Sequence, residues 1–181
     1  MSASTTASTT ETNASMDRRI AGLAALAVAI HVFESALPSP IPGLKPGLAN
    51  VITLIVLFRY GWAAAAWVTL LRVVGGSLLL GTFLTPTFLL SAGGAILSLA
   101  ALGLAGMLIR VGLGPVGAGA AAALGHLLGQ LVVAWLLFIP HPGLWQLAPF
   151  LLAAALPLGI ITGLVAAASL NHLRRLESIQ T

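Results

Sequence analysis

The chain has 181 residues, of which 59% are apolar and only 7% charged, and its mean hydropathy is +1.06. A soluble domain carries roughly a quarter charged residues, so this composition excludes an ordinary water-soluble protein and indicates an integral membrane protein. The net charge is +4, but the basic residues stand singly or in pairs between apolar runs, which argues against a nucleic-acid partner, and the absence of Cys excludes disulfides and Cys-ligated metals.

The chain begins with a polar segment. Residues 1–17 are mostly Ser, Thr, Ala and Asn, so we predict a disordered cytoplasmic tail. Six apolar segments follow, separated by Pro- and Gly-rich turns, and a membrane-spanning helix needs about 20 such residues. We therefore predict an all-α bundle of six transmembrane helices within residues 18–175, followed by a short tail at 176–181. The predicted helices are 20–37, 47–58, 61–81, 86–109, 115–139 and 147–170.

The distribution of basic residues predicts the orientation of these helices. The connections on one side of the membrane hold six arginines, whereas those on the other side hold only Lys45. The positive-inside rule therefore places both termini in the cytoplasm, and we expect a bacterial-type inner (cytoplasmic) membrane. The six arginines are Arg18, Arg19, Arg59, Arg110, Arg174 and Arg175.

The second segment is too short to span a bilayer. Twelve residues rise about 18 Å, against a hydrocarbon core of about 30 Å. In one interpretation, the Pro- and Gly-rich stretch at 38–46 dips into the membrane, and the positive end of the second helix points at a cavity beside Lys45. In the other, an ordinary tilted helix follows an external loop. The sequence leaves both open.

Arg72 is predicted to lie near the bilayer midplane. A charged side chain there costs at least ~2.5–3.5 kcal/mol, so we expect it to face the interior of the bundle with a partner. One hypothesis is an internal ion pair with Glu34. The other is that Arg72 binds an anionic ligand, with Glu34 as the counter-charge.

Further polar residues occur within the apolar segments. His126 and Gln130 are four residues apart and share one face of the fifth helix, as His31 and Glu34 share a face of the first. These residues and Asn50 predict a polar pocket, although hydrogen bonding between helices is an alternative. Two His and one Glu on separate helices have no diagnostic metal-site spacing, so we predict no metal site. The predicted ligand-binding residues are Glu34, Lys45, Asn50, Arg72, His126 and Gln130.

Small residues recur every four positions along several segments. Ala21, Ala25 and Ala29 line one side of the first helix, and the sixth contains Gly159 and Gly163. Such spacing lets helix backbones approach closely. It predicts packing within the bundle or, for the alanines, docking of another membrane subunit.

Several motifs resemble the Gx transporter family, also labelled heptaprenyl diphosphate synthase component I. They include Pro42-Gly-Leu-Lys-Pro-Gly-Leu-Ala-Asn50, Leu71-Arg72-Val73 and Gly125-His126. The resemblance covers residues 20–172 and departs from the family pattern at Leu127, where Asn is expected. It implies a bundle similar to the substrate-binding S components of energy-coupling-factor transporters, in which an alanine ridge on the first helix contacts the coupling subunit.

The leading functional hypothesis is a membrane substrate-binding or transport subunit for a small anionic or amphiphilic solute. The alternatives are a non-catalytic membrane component of heptaprenyl diphosphate synthase and a subunit of a flavin-linked membrane redox complex. Prenyl chain elongation needs Asp-rich motifs that hold Mg²⁺, and the chain has a single aspartate, Asp17. Any enzymatic role is therefore expected to be accessory. The sequence identifies neither cofactor nor substrate.

Overall fold

The structure is a computed structural model that describes residues 3–36, 47–109 and 113–180. The described residues form six α-helices and no strand, which confirms the predicted all-α bundle. Five of the helices are long and apolar enough to cross a membrane, so the protein is a multi-pass helical membrane protein. The helices are α1 (Ala3–Ala36), α2 (Leu48–Tyr60), α3 (Trp62–Leu79), α4 (Pro86–Ile109), α5 (Pro115–Leu137) and α6 (Gly143–Gln180).

The short helix α2 lies at the centre of the bundle. It packs against α1, α3, α5 and α6, and eight of its side chains are buried, among them Leu54 and Val56. Neighbouring helices therefore cover most of its surface. Its length of 13 residues, about 20 Å, is therefore compatible with a membrane protein, because other helices rather than lipid surround it.

A one-residue link joins α2 to α3. Gly61 adopts φ 90°, a conformation that side chains with a Cβ rarely adopt, and this lets the chain reverse direction at once. Two polar contacts then set the register of the antiparallel pair. Asn50 bonds Arg72, and one turn further along the Thr53 and Thr69 hydroxyls lie 3.4 Å apart in the interior.

The helices α4, α5 and α6 form the second half of the bundle through close backbone contacts. A Cβ on Gly129 of α5 would lie 2.2 Å from the Gly93 carbonyl oxygen of α4. A Cβ on Gly119 would lie 2.4 Å from the carbonyl oxygen of Gly159 in α6. Part of the small-residue spacing therefore serves packing within the bundle, as one of the two interpretations predicted.

Both terminal helices extend beyond the predicted spans. α1 begins at Ala3, where we predicted a disordered tail, and α6 runs through Gln180, where we predicted a short tail. Once a helix is nucleated, each added residue gains one backbone hydrogen bond and needs no packing partner, so a polar segment can prolong an apolar helix. The division into two tails and a membrane domain stays a prediction.

Candidate ligand-binding site

A cavity of about 320 Å³ lies between the two halves of the bundle, and all six helices contribute to its wall. We call it the central cavity. Its lining combines apolar side chains, such as Leu90 and Leu158, with polar groups from all six helices. An apolar wall with a few convergent polar groups is the usual composition of a small-molecule site.

Five of the six predicted site residues line this cavity although they come from four helices. Arg72 lies deep in α3, about 15 Å along the helix from Trp62, and His126 and Gln130 lie one turn apart on α5. Glu34 contributes from α1 and Asn50 from α2. The sixth residue, Lys45, lies outside the described residues, as does the stretch 38–46 that was predicted either to dip into the membrane or to form an external loop.

The Arg72 guanidinium is enclosed by protein. The residue is 5% exposed, and its Nη1 donates a hydrogen bond of 2.7 Å to Oδ1 of Asn50. Its Nε is buried without a hydrogen-bond partner among the described residues. Within the same residues, no carboxylate lies within 4.0 Å of the guanidinium. The Glu34 carboxylate attracts the guanidinium without forming a salt bridge, and an anion in the cavity would offset a further part of the cost of burying this charge.

The Glu34 carboxylate binds the start of α2. Its carboxylate oxygens accept hydrogen bonds from the backbone N–H groups of Leu48, at 2.6 Å, and Ala49, at 3.3 Å. Glu34 therefore caps the first turn of α2, where the helix dipole favours negative charge. Glu34 and Arg72 form no salt bridge among the described residues, although their opposite charges attract each other. In the interpretation in which the positive end of α2 faces a ligand, that end is already occupied by the Glu34 carboxylate.

His126 and Gln130 form a side-chain pair on the cavity wall. The Nε2 atoms of the two residues are 3.2 Å apart. Which of the two side chains donates depends on the tautomer of the ring. The other ring nitrogen, Nδ1, is buried beside the backbone of Gly94 in α4. The Nε–H of Arg72 is a buried donor that a ligand with acceptor oxygens would satisfy.

The described residues offer little to a metal ion. No group of three or more His, Asp or Glu side chains among them is arranged to hold one. His31 and Glu34 do line the central cavity together with His126, but Glu34 is engaged by the backbone of α2. The polar side chains of this wall provide hydrogen-bond donors and acceptors.

Sequence reasoning missed three polar residues of the cavity wall, Thr87, Ser91 and Thr162. His31, which was expected to contribute to a polar pocket, lines the central cavity as well. Thr87 and Ser91 are four residues apart on α4, which was the available signal for a shared polar face. Thr162 gave no signal, since its hydroxyl bonds the Gly159 carbonyl in its own helix at 2.9 Å.

The predicted docking residues on α1 lie on the outside of the bundle. The side chains of Ala21, Ala25 and Ala29 are exposed, and within the described residues α1 packs only against α2 and α3. This face therefore meets lipid or a partner, and subunit docking stays a prediction.

Comparison with known proteins adds one match. The family model described as heptaprenyl diphosphate synthase component I matches residues 23–169, about four fifths of the chain and almost all of the helical bundle. No curated protein and no solved structure matches the chain. The predicted similarity to energy-coupling-factor S components thus stays a resemblance. Since the match covers well over half of its length, the chain belongs to the heptaprenyl diphosphate synthase component I family.

Proposed function

We propose that the protein is a membrane substrate-binding subunit that holds a small anionic solute, or the anionic headgroup of an amphiphile, in the central cavity. The observation that carries this proposal is the Arg72 guanidinium, which lines the cavity, is 5% exposed and makes no salt bridge with a carboxylate among the described residues. Intramembrane charges are expensive and are retained mainly where they act on a ligand or an ion.

The size of the cavity limits the ligand. At about 320 Å³ it is at the lower end of small-molecule sites, which range from roughly 300 to 1,000 Å³. A small carboxylate, a phosphate ester or a diphosphate headgroup suits this volume. A heptaprenyl chain would have to lie largely outside it.

Thermal unfolding of the purified protein with a panel of paired ligands tests the proposal. The pairs are isoprenoid diphosphates and their alcohols, flavin mononucleotide and riboflavin, and thiamin diphosphate and thiamin. At a hundredfold excess over Kd, a ligand adds about 2.7 kcal/mol, which corresponds to a rise in Tm of about 5–10 °C for a chain of this length. We expect at least one phosphorylated compound to give such a shift and its dephosphorylated counterpart to give less. Equal shifts within every pair would contradict an anion site.

A second candidate function follows from the family description, which names one component of a synthase. The protein would then be a non-catalytic membrane partner of a soluble prenyl diphosphate synthase. Its single aspartate cannot form an Asp-rich Mg²⁺ site, so catalysis would rest with the partner. Co-purification with such a synthase, and a change in product chain length when this protein is removed, would support this role. Unchanged products would count against it.

The membrane context of the proposal rests on the sequence. The excess of arginines on one side favours cytoplasmic termini in a bacterial-type inner membrane. With that orientation, the turn between α3 and α4 faces the extracytoplasmic side. The exposed Ala21, Ala25 and Ala29 would then be the surface for another membrane subunit.

A further inference from the structure

A second cavity, of about 230 Å³, lies between α1, α3 and α4, and we call it the side cavity. Four residues line both cavities: His31, Val73, Thr87 and Ser91. The two cavities are therefore neighbours that share part of their walls. Among the described residues, α1 and α4 do not pack against each other, so no helix contact closes the gap between them.

The side cavity runs from the end of the bundle into its interior. Thr82, in the turn between α3 and α4, and the exposed Thr87 lie at the outer end. Hydrogen bonds brace this turn: the Thr82 N–H donates to the Ser77 carbonyl at 2.8 Å, and the Thr85 N–H donates to the Thr82 carbonyl at 3.1 Å. Ser91 lies one turn below Thr87 on the same face of α4, at the junction with the central cavity.

Hydroxyl groups dominate the polar lining of the side cavity. The Ser35 hydroxyl donates to the His31 carbonyl and the Ser77 hydroxyl donates to the Val74 carbonyl, each at 2.8 Å. A hydroxyl that donates to its own helix keeps oxygen lone pairs that can accept hydrogen bonds from water. Burying such groups against an apolar chain is unfavourable, whereas a hydrated path satisfies them. The lining thus suits water and polar solutes better than a lipid tail.

We infer that the side cavity is the vestibule of the Arg72 site, through which a small hydrophilic anion enters from the extracytoplasmic water between α1, α3 and α4. The inference rests on the proposed function for its anionic ligand. In addition, the solute comes from the water rather than from the membrane, which excludes a prenyl amphiphile. It passes Thr87 and Ser91 to reach Arg72.

Single-cysteine labelling tests this route, because the chain has no native Cys. The test variants are Thr87→Cys and Ser91→Cys. Ser98→Cys is the matched control: Ser98 is 7% exposed, lies on the same helix and lines neither cavity. Intact cells are treated with a membrane-impermeant anionic methanethiosulfonate or with its cationic counterpart. Gel-filtration profiles like that of the wild type establish that the variants are folded.

We expect both test variants to be labelled from outside and the control to remain unlabelled. At Ser91→Cys the anionic reagent should react at least about tenfold faster than the cationic one, since a buried charge focuses ions of opposite sign. Adding Arg72→Gln should remove this preference.

The possible outcomes distinguish a failure of the proposed vestibule from a failure of the proposed anion site. Labelling of Thr87→Cys without Ser91→Cys, or labelling only after the membrane is permeabilised, would overturn the vestibule and leave the proposed function standing. Labelling of Ser91→Cys from outside with no charge preference would support a hydrated route but overturn the anionic ligand, and with it the proposed function.

Discussion

Replacing Arg72 by Met is expected to abolish anion-induced stabilisation while leaving the unliganded protein at least as stable as the wild type. The wild-type guanidinium is buried with one hydrogen bond, to Asn50, and with an unpartnered Nε, so burying it has a net cost. Asn50 is only partly buried and can be rehydrated after the substitution. The shift of about 5–10 °C expected for the best ligand should fall to near zero. Thermal unfolding with and without that ligand measures both effects.

Arg59→Met is the matched control for this variant. Arg59 lies at the end of α2, away from the central cavity, and pairs with Glu177 of α6 at the surface. Exposed pairs of this kind contribute at most about 1 kcal/mol, and their loss should not alter ligand binding. A stabilising anion that acts equally on Arg72→Met and the wild type would show that the guanidinium is not the recognition group.

Replacing Glu34 by Ala is expected to cost about 2–4 kcal/mol of unfolding free energy, because two backbone N–H groups at the start of α2 lose a charged acceptor. Because α2 contacts four other helices, a loosened first turn should also disturb the position of Asn50 and hence the hydrogen bond to Arg72. Chemical or thermal unfolding in detergent measures the stability. Hydrogen exchange of the Leu48 and Ala49 amides reports on the cap itself.

Two further substitutions sharpen this prediction. Glu34→Gln keeps a neutral acceptor and should cost about half as much. Glu177→Ala removes an exposed carboxylate and should cost no more than about 1 kcal/mol. If Glu34→Ala were no more destabilising than Glu177→Ala, or if the two amides stayed protected, Glu34 would not be the cap of α2.

Much of the fold could be predicted from residues that break helices. Pro86 and Pro115 begin α4 and α5 as predicted, because proline is tolerated in the first turn of a helix but interrupts a helix at later positions. Gly61 lies at the reversal between α2 and α3, because glycine readily adopts the positive φ that this turn requires. The central position of α2 was not predictable, because hydropathy does not distinguish a helix that meets lipid from one that meets other helices.

The residues of the candidate site could also be predicted only in part. Ionisable and amide side chains in an apolar segment must turn inward, so five predicted residues could be expected near one another before their helices were placed. The hydrogen bond between Glu34 and the backbone at the start of α2 was missed, because the unpaired N–H groups of a first helical turn belong to the backbone and cannot be identified from residue types. The hydroxyls of Thr162 in the central cavity and Ser77 in the side cavity were missed because Ser and Thr can bond their own helix and so need no polar neighbour.

Native mass spectrometry of the full chain, released from its own membrane in mild detergent, tests the anion site most directly. We predict that the wild-type protein carries a small anionic adduct that survives gentle activation, and that Arg72→Met prepared in parallel lacks it while Arg59→Met retains it. Identical adducts on wild type and Arg72→Met, or a wild-type spectrum with phospholipid alone, would contradict an anion held by the buried guanidinium.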